Sequence, residues 1–305
     1  MLPEDTISVI MGIKYCRPEL DTLRRSLDSI LAQTYAEFEL LICERGSSHL
    51  AKELLADYAS RDPRVRVIDG SGAGSFSEQL NICLGQSRGA WIARMDDDDY
   101  SEPERFEKQL AYLRTHGGTA FVGCNVRLIQ DGGDVGAQCF PENPQVRDFL
   151  FSMPFIHPAL IFRREALEAA GGYSTLPRCD RCEDYDLLLR LYEMGYSGAN
   201  MQEFLFRYSL PHNGISTRTL RDRTNEVRTR WARFSALGLL PKALPYALKP
   251  WAVWLVPRNT LRRLKEKRER VPRKSVRRRA EISCEVRNGN SEEDPLLLVR
   301  RESAE

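Results

Sequence analysis

Apolar and polar positions in the first hundred residues switch repeatedly between two periods. Thr6-Ile-Ser-Val-Ile-Met-Gly-Ile13 is a nearly continuous apolar run, the pattern of a strand buried on both faces. Leu20, Leu23, Leu27, Ile30 and Leu31 then recur at helical spacing behind Pro18, a residue suited to a helix start. Phe38 to Cys43 predicts a second strand, closed by Arg45-Gly46-Ser47-Ser48, and Leu50, Leu54, Leu55 and Tyr58 predict a second helix. Val65 to Ile68 predicts a third strand that breaks at Asp69-Gly-Ser-Gly-Ala-Gly74. A helix follows to about Leu84, and Ala90 to Met95 forms a fourth strand. Strands that alternate with helices in this way imply a parallel sheet flanked by helices.

The second half is less regular. Pro103 to Thr115 reads as a helix with Phe106, Leu110 and Leu113 inward. Phe121 to Ile129 and Val135 to Phe140 flank Asp131-Gly-Gly-Asp134, a hairpin signal. Ala159 to Phe162 predicts a short strand, Asp184 to Met194 a helix with an acidic first turn, and Arg218 to Leu237 an Arg-rich helix.

The fourth strand empties into Asp96-Asp97-Asp98-Asp99. Four adjacent carboxylates repel one another unless a cation sits among them. If the run stays extended, Asp96 and Asp98 share one face and Asp97 and Asp99 the other. Paired carboxylates suit a hard ion such as Mg²⁺ or Mn²⁺. The alternative is a solvated acidic loop capping the helix near Pro103. Location favours the first reading, because open α/β sheets bind ligands beyond the carboxyl ends of their strands.

Composition changes this picture in two places. The net charge of +2 conceals an asymmetry: Arg258 to Ala280 carries 12 Lys/Arg against Glu266 and Glu269, so the remainder is slightly acidic. Eight scattered cysteines lie mostly in apolar stretches, and Met-Leu-Pro-Glu-Asp-Thr resembles no secretory signal. Reduced thiols and a cytoplasmic location are therefore expected. Cys179-x-x-Cys182 has no second pair at metal-binding spacing. No stretch of 18 apolar residues predicts a transmembrane span.

Five segments in order, Ile7-Ser-Val-Ile-Met11, Ser26 to Tyr35, Phe38 to Ile42, Gly89 to Asp96 and Cys182-Glu-Asp-Tyr-Asp-Leu187, resemble the family 2 glycosyltransferases of GT-A fold. The resemblance runs from about residue 6 to 217. It implies an open, mostly parallel α/β sheet flanked by helices and an inverting transfer of sugar from a nucleotide-sugar, usually a UDP-sugar, with Mn²⁺ or Mg²⁺. By that resemblance Asp96 and Asp98 are the ends of an Asp-x-Asp motif, Asp98 on the metal and Asp96 on the ribose or a metal-bound water. Glu183-Asp184 matches the family's acidic pair, with Asp184 as the base that takes the acceptor proton. The competing reading of this pair is simply an acidic first helical turn. Glu44-Arg45-Gly46-Ser47 stands where family members commonly have Asp-Asp-Gly-Ser, so Glu44 would meet the nucleotide base and Arg45 a phosphate.

Two histidines have similar alternatives. His212 would lie near the diphosphate and metal, or on a plain surface loop. His157 would face the acceptor, or be a hydrogen-bonded turn residue. Arg163 and Arg164 would touch phosphate or cap an exposed helix start.

The implied organisation is a nucleotide-sugar half (1–100), an acceptor and catalytic half (101–217), a helical, Pro-interrupted apolar extension (218–257) and a basic tail (258–305). Pro241, Pro245 and Pro250 prevent the extension from spanning a bilayer as one helix. Trp251 and Trp254 beside the basic segment fit peripheral contact with an anionic membrane, or else an apolar strap packed on the body. Nucleic-acid binding is disfavoured by the lack of stacking aromatics in the tail. The resulting expectation is a transferase acting on a saccharide or lipid-linked acceptor in surface-polysaccharide or glycolipid assembly. A metal-dependent nucleotidyltransferase and a catalytically weak binding or scaffold protein are the alternatives.

Overall fold

The computed structural model of the chain describes residues 5–130, 132–210 and 218–256. Four parallel strands, β1 (Ile7–Ile13), β2 (Phe38–Glu44), β3 (Val65–Asp69) and β4 (Trp91–Arg94), alternate with helices α1 (Asp21–Leu31), α2 (His49–Arg61) and α3 (Phe76–Gln86). The chain continues through β5 (Tyr100–Ser101), α4 (Arg105–Thr115), β6 (Thr119–Gln130), β7 (Gly133–Gln138) and α5 (Asp148–Phe151). It then forms β8 (Ile161–Arg163), α6 (Arg164–Ala169), α7 (Glu183–Glu193), β9 (Ser197–Ser209), α8 (Leu220–Ala236) and α9 (Leu244–Leu255).

All described strands join one sheet in the order β3-β2-β1-β4-β8-β6-β9-β5, with β7 paired to β6. Strand β8 is antiparallel to both β4 and β6, and β9 is parallel to β6. Strands β6 and β9 therefore run with β1 to β4, while β5, β7 and β8 oppose them. The expected α/β architecture with a mostly parallel sheet is observed.

Alternation along the buried strands sorts the core into two layers. Val9, Met11, Leu40 and Ile42 pack with Leu27 and Ile30 of α1, Leu55 of α2 and Leu110 of α4. Ile10, Leu41 and Ile92 pack on the opposite face with Leu80 of α3 and Leu188 and Leu191 of α7.

Three departures from the pattern have physical causes. Strand β4 ends at Arg94, and the chain turns at Asp97-Asp98, so the expected two-face alternation of the aspartates does not hold. Strand β9 escapes a periodicity reading because Asn200, Gln202 and Glu203 interrupt its apolar positions. Its pairing with β6 shifts register around Asn125, and buried Asn200 instead donates to the carbonyls of Pro141 and Pro154. The apolar extension forms helix α9 with Pro250 inside it, leaving Trp251 and Trp254 exposed. Among the described residues no helix is long and apolar enough to cross a membrane. The basic tail, 258–305, lies outside the described residues.

Candidate active site

The aspartate turn is gripped by its backbone from two sides. From α1, Ser26 Oγ donates to the Asp96 carbonyl at 2.7 Å and Arg25 to the Asp98 carbonyl at 2.9 Å. From β9, Ser209 Oγ also donates to the Asp98 carbonyl, while the Ser209 amide donates to Asp99 Oδ1 at 2.7 Å. Ser29 of α1 and Gln33 just beyond it extend the grip: Ser29 Oγ accepts from the Ser101 amide, and Gln33 donates to Ser101 and the Glu102 carbonyl. The Ser26-to-Tyr35 segment thus acts as a clamp on residues 96–102. With the carbonyls held, the side chains of Asp96 and Asp98 each remain 30% exposed.

Each aspartate meets a different environment. Asp99 is fully buried, and burial together with Asp96 and Asp98 raises its pKa well above the carboxylate range. It anchors the turn to β9. Burial and the charges of Asp98 and Asp96 push Asp97 up to about 7. Asp98 is raised by burial and by Asp96, against the opposing pull of Arg17, whose guanidinium lies 3.6 Å away. Asp96 Oδ1 accepts from Arg94 at 2.5 Å.

Arg94, which sequence reading placed inside an apolar strand, is the cation under this turn. It is buried, donates also to the Met95 carbonyl, and sits 5.1 Å from the Phe76 ring centroid. Burial alone would favour losing its proton, but Asp96, Tyr173 and Asp99 reverse the balance and raise its pKa.

The acidic pair Glu183-Asp184 opens α7 behind Cys182, which provides no side-chain cap. Asp184 Oδ1 accepts the Tyr185 amide at 2.7 Å. Burial raises both carboxylates, Glu183 to about 7 with a further contribution from Asp184. Asp186, by contrast, is structural: it is buried and paired with Arg190 at 2.8 Å.

Two tyrosines feel the charge of both this pair and the aspartate turn. Burial chiefly raises the Tyr173 hydroxyl pKa, with Glu183, Asp184 and Asp96 adding to the shift and Arg94 opposing it. Tyr208, half-buried on β9, is raised by burial and then by Asp99, Asp96, Asp98 and Asp184. Neither tyrosine carries a sequence motif that marks it. Tyr208 is visible only once the end of β9 is placed against the aspartate turn, and Tyr173 only once the 171–174 turn is placed over His157.

At the far end of β2, Glu44 and Ser47 are both engaged within the chain. Glu44 Oε1 accepts the Ser47 amide, Oε2 lies 3.6 Å from Lys52, and Ser47 Oγ accepts the Tyr15 amide. Gln79 of α3 stitches this edge by donating to the Ile13 and Cys43 carbonyls. The Gly70 amide donates to the Glu44 carbonyl at 2.7 Å, and a Cβ at Gly70 would fall 2.7 Å from that oxygen. The glycine at 70 is required by this close approach. Arg45 is half-buried on the same turn.

The remaining candidates are placed differently. His157 is buried, and its Nε2 is 2.9 Å from the Tyr173 hydroxyl. It therefore lies beneath the site as a hydrogen-bonded turn residue, in place of the acceptor-facing position expected. Burial, then Arg94, depresses its pKa well below the usual imidazole value. Arg163 donates to the Thr119 and Leu113 carbonyls, and Arg164 to the Gly89 carbonyl and Ser87. Both brace the sheet at the end of β4 opposite the aspartate turn. His212 lies outside the described residues.

The glycosyl transferase family 2 model matches residues 8–171, more than half of the chain. The chain belongs to glycosyl transferase family 2. This membership sets aside the nucleotidyltransferase alternative. EpsE of Bacillus subtilis, named as a glycosyltransferase, is 32% identical over 266 residues, covering 86% of this chain and 94% of that protein. The O-antigen biosynthesis glycosyltransferase WbnJ of Escherichia coli is 35% identical over 217 residues, or 68% of this chain and 81% of WbnJ. Among solved structures, S. aureus TarS with UDP-GlcNAc superimposes with a TM-score of 0.62 at 15% identity, covering 80% of this chain and 73% of that one. The mannosyltransferase PcManGT of Pyrobaculum calidifontis, with GDP-Man and Mn²⁺, gives 0.57 at 18% identity over 94% of this chain and 88% of that one. The fold is GT-A.

Among the described residues, no three His, Cys, Asp or Glu side chains form a metal-holding cluster. The donors fit a different kind of site. Mg²⁺ and comparable hard ions are commonly held by one or two carboxylates together with substrate phosphates. Asp98, whose side chain is 30% exposed and only loosely paired with Arg17, is a hard oxygen donor of that kind. Crowded aspartates with raised pKa values are the electrostatic setting that a divalent cation relieves.

Proposed function

We propose that this family 2 glycosyltransferase inverts the sugar it transfers, taking it from a nucleoside-diphosphate sugar to an acceptor hydroxyl with a divalent cation at Asp98. The observation that supports this reading is the aspartate turn itself, held by Ser26, Arg25 and Ser209 at the end of β4 with the Asp96 and Asp98 side chains each 30% exposed. A cation bound there with the donor would stabilise the charge that develops on the departing diphosphate. The chain's own residues do the rest. Asp96, aligned by Arg94, takes the ribose side of the donor. Asp184 removes the proton from the acceptor hydroxyl as it attacks the sugar carbon from the face opposite the diphosphate. Burial makes Asp184 a stronger base than an exposed carboxylate, the direction general-base catalysis needs. Glu226 adds to its basicity through like-charge repulsion, and Asp184 in turn helps to raise Glu183.

The nucleotide end is assigned to the 44–47 turn. Glu44 and Ser47 hold its shape, and Arg45 is the charged group placed to meet the nucleotide or its phosphates. Solved relatives contain UDP-GlcNAc and GDP-Man, and we assign UDP on the family resemblance. The names of WbnJ and of the amylovoran biosynthesis glycosyltransferase AmsE support a place in surface-polysaccharide assembly. The test is release of nucleoside diphosphate from a panel of nucleotide-sugars, with Mn²⁺ and with a saccharide or lipid-linked acceptor. Release that requires the metal and disappears in Asp98→Ala supports the reading. Metal-independent release, or none with any donor and acceptor, defeats it.

A further inference from the structure

Beside Asp184 lies a cavity of about 340 Å³, framed by the start of α7, by α8 and by α9. Its size falls in the range of ligand pockets. Its charge is unusual. Arg181, Arg218, Arg223, Arg230 and Lys249 line it, against only Asp184 and Glu226 among the described residues. Glu226 is shared by three of the arginines, at 3.1 Å from Arg218, 3.1 Å from Arg223 and 3.2 Å from Arg230. Five cationic side chains thus face two carboxylates across the described lining. Lys249 joins this lining from α9. Its ammonium donates to the Phe151 carbonyl at 2.5 Å and lies 3.3 Å from the Phe151 ring centroid, with no carboxylate partner among its described contacts. Burial and then the charge of Arg230 lower its pKa, a sign of repulsion within the cluster. Arg181 is also held at φ +65°, a left-handed conformation uncommon for a residue with a side chain.

The rest of the wall is apolar. Val253 and Pro250 of α9 face the cavity, and Phe151 lies at its rim with 65% of its surface exposed. A cationic floor next to an apolar rim matches a ligand that joins a phosphoryl group to a hydrocarbon chain.

We propose that this cavity is an anion subsite for the acceptor, binding a phosphate or diphosphate that links the acceptor sugar to an apolar chain. The subsite lies on the Asp184 side, so the acceptor hydroxyl would be presented to the base while its charged linker is held by Arg223 and Lys249. The inference rests on the assignment of Asp184 to the acceptor side. It also gives α8 and α9, which contribute no strand to the sheet, a direct part in substrate choice.

The test uses the full chain in EDTA with no donor, so that binding is read apart from metal-dependent chemistry. The probes are n-decyl phosphate, neutral n-decyl maltoside and inorganic phosphate, followed by calorimetric titration. Decyl phosphate should bind, and Lys249→Gln and Arg223→Gln should each weaken it about tenfold, the loss expected for one charge-assisted hydrogen bond. Lys249→Arg should restore binding, and Asp98→Ala should bind as the unaltered chain does. Thermal melts establish that each variant is folded. Equal binding of decyl maltoside would reduce the cavity to an apolar groove. Equal binding of inorganic phosphate would identify a free-phosphate site. Loss of binding in Asp98→Ala would place the phosphate at the donor end instead. Any of these overturns the proposal, as does unchanged affinity in both glutamine variants. Because no turnover is measured, failure here leaves the transferase reading intact, and failure of metal-dependent turnover leaves this result intact.

Discussion

Replacing Arg94 by methionine is the most demanding test of the electrostatic arrangement. Methionine keeps much of the side-chain length and its contact with Phe76, but removes the charge and both donated hydrogen bonds. The Arg94 side chain is 2% exposed and that of Asp96 is 30% exposed. Removing one partner of a buried pair costs about 3–5 kcal/mol, because the other is left uncompensated. Water reaches Asp96 over part of its surface, which places the loss near the lower end, at about 3 kcal/mol. For a domain of this size each kcal/mol moves the melting temperature by about 2–4 °C, so Arg94→Met should melt roughly 6–12 °C lower. Arg94→Lys should fall between the two, since an ammonium keeps the charge but not the planar pair of donors that spans Met95 and Asp96. A second, functional readout separates this from a simple packing defect. Arg94 lowers the Glu183 pKa, so its removal should move the acid limb of the pH–rate profile to higher pH. Differential scanning calorimetry and a pH series of transfer rates measure the two effects. If Arg94→Met melts within 2 °C of the unaltered chain (about 1 kcal/mol at most) and shows the same acid limb, the guanidinium is not the central cation of this site.

Asp184→Asn should lower turnover by about 10² to 10⁴ while leaving the donor KM nearly unchanged, because a base acts on the acceptor proton. Steady-state kinetics with varied donor check this, and a large rise in donor KM at unchanged kcat would contradict it. Transfer should also speed up as pH rises from 5 to 8. The raised pKa values of Glu183, about 7, and of Asp184 leave the pair partly protonated on the acid side, where it cannot accept a proton. A flat profile across that window would remove the pair from the chemistry. Donor and Mn²⁺ together should raise the melting temperature of the unaltered chain, by about 2.7 kcal/mol of stability at a hundredfold excess over Kd. Asp98→Ala should lose that gain, and an unchanged shift would show that the metal-bound donor sits elsewhere. His157, with a folded pKa depressed below its unfolded value, contributes stability above about pH 6.5 that is lost as the pH falls. His157→Gln should therefore reduce the drop in stability between pH 7 and 5 by on the order of 1 kcal/mol. Chemical denaturation at the two pH values measures it, and an equal drop in both proteins argues against a buried neutral imidazole.

What could be read from the chain before folding follows the range of the interactions involved. Strands β1 to β4 and helices α1 to α3 are legible because each buries an apolar face that announces its period locally. The Asp-x-Asp and Glu-Asp pairs are legible as motifs, since acidic residues are rarely grouped where a strand ends or a helix begins without a reason. The shape of the aspartate run was not. Alternation assumes extended backbone, whereas the turn at Asp97-Asp98 is imposed by Ser26 from α1 and by Ser209, 111 residues further along the chain from Asp98. Strand β9 itself was hidden by its polar residues, so nothing in the sequence placed Ser209 or Tyr208 beside the aspartates.

The same reasoning separates the four aspartates. Identical in sequence, they are made different by what the rest of the fold brings to them: Arg94 to Asp96, Arg17 to Asp98, and the β9 backbone to Asp99. Asp99 gives one carboxylate oxygen to the Ser209 amide and is withdrawn from solvent. Asp97 has no hydrogen bond among the described residues and is pushed toward its protonated form by burial and by its neighbours. Asp96 and Asp98 each keep a part-exposed carboxylate beside a guanidinium, Arg94 for the first and Arg17 for the second, so the placement of two arginines sets this pair apart from its neighbours. A clamp that holds backbone carbonyls, as Ser26, Arg25 and Ser209 do, leaves the Asp96 and Asp98 carboxylates paired with Arg94 and Arg17 alone among the described residues.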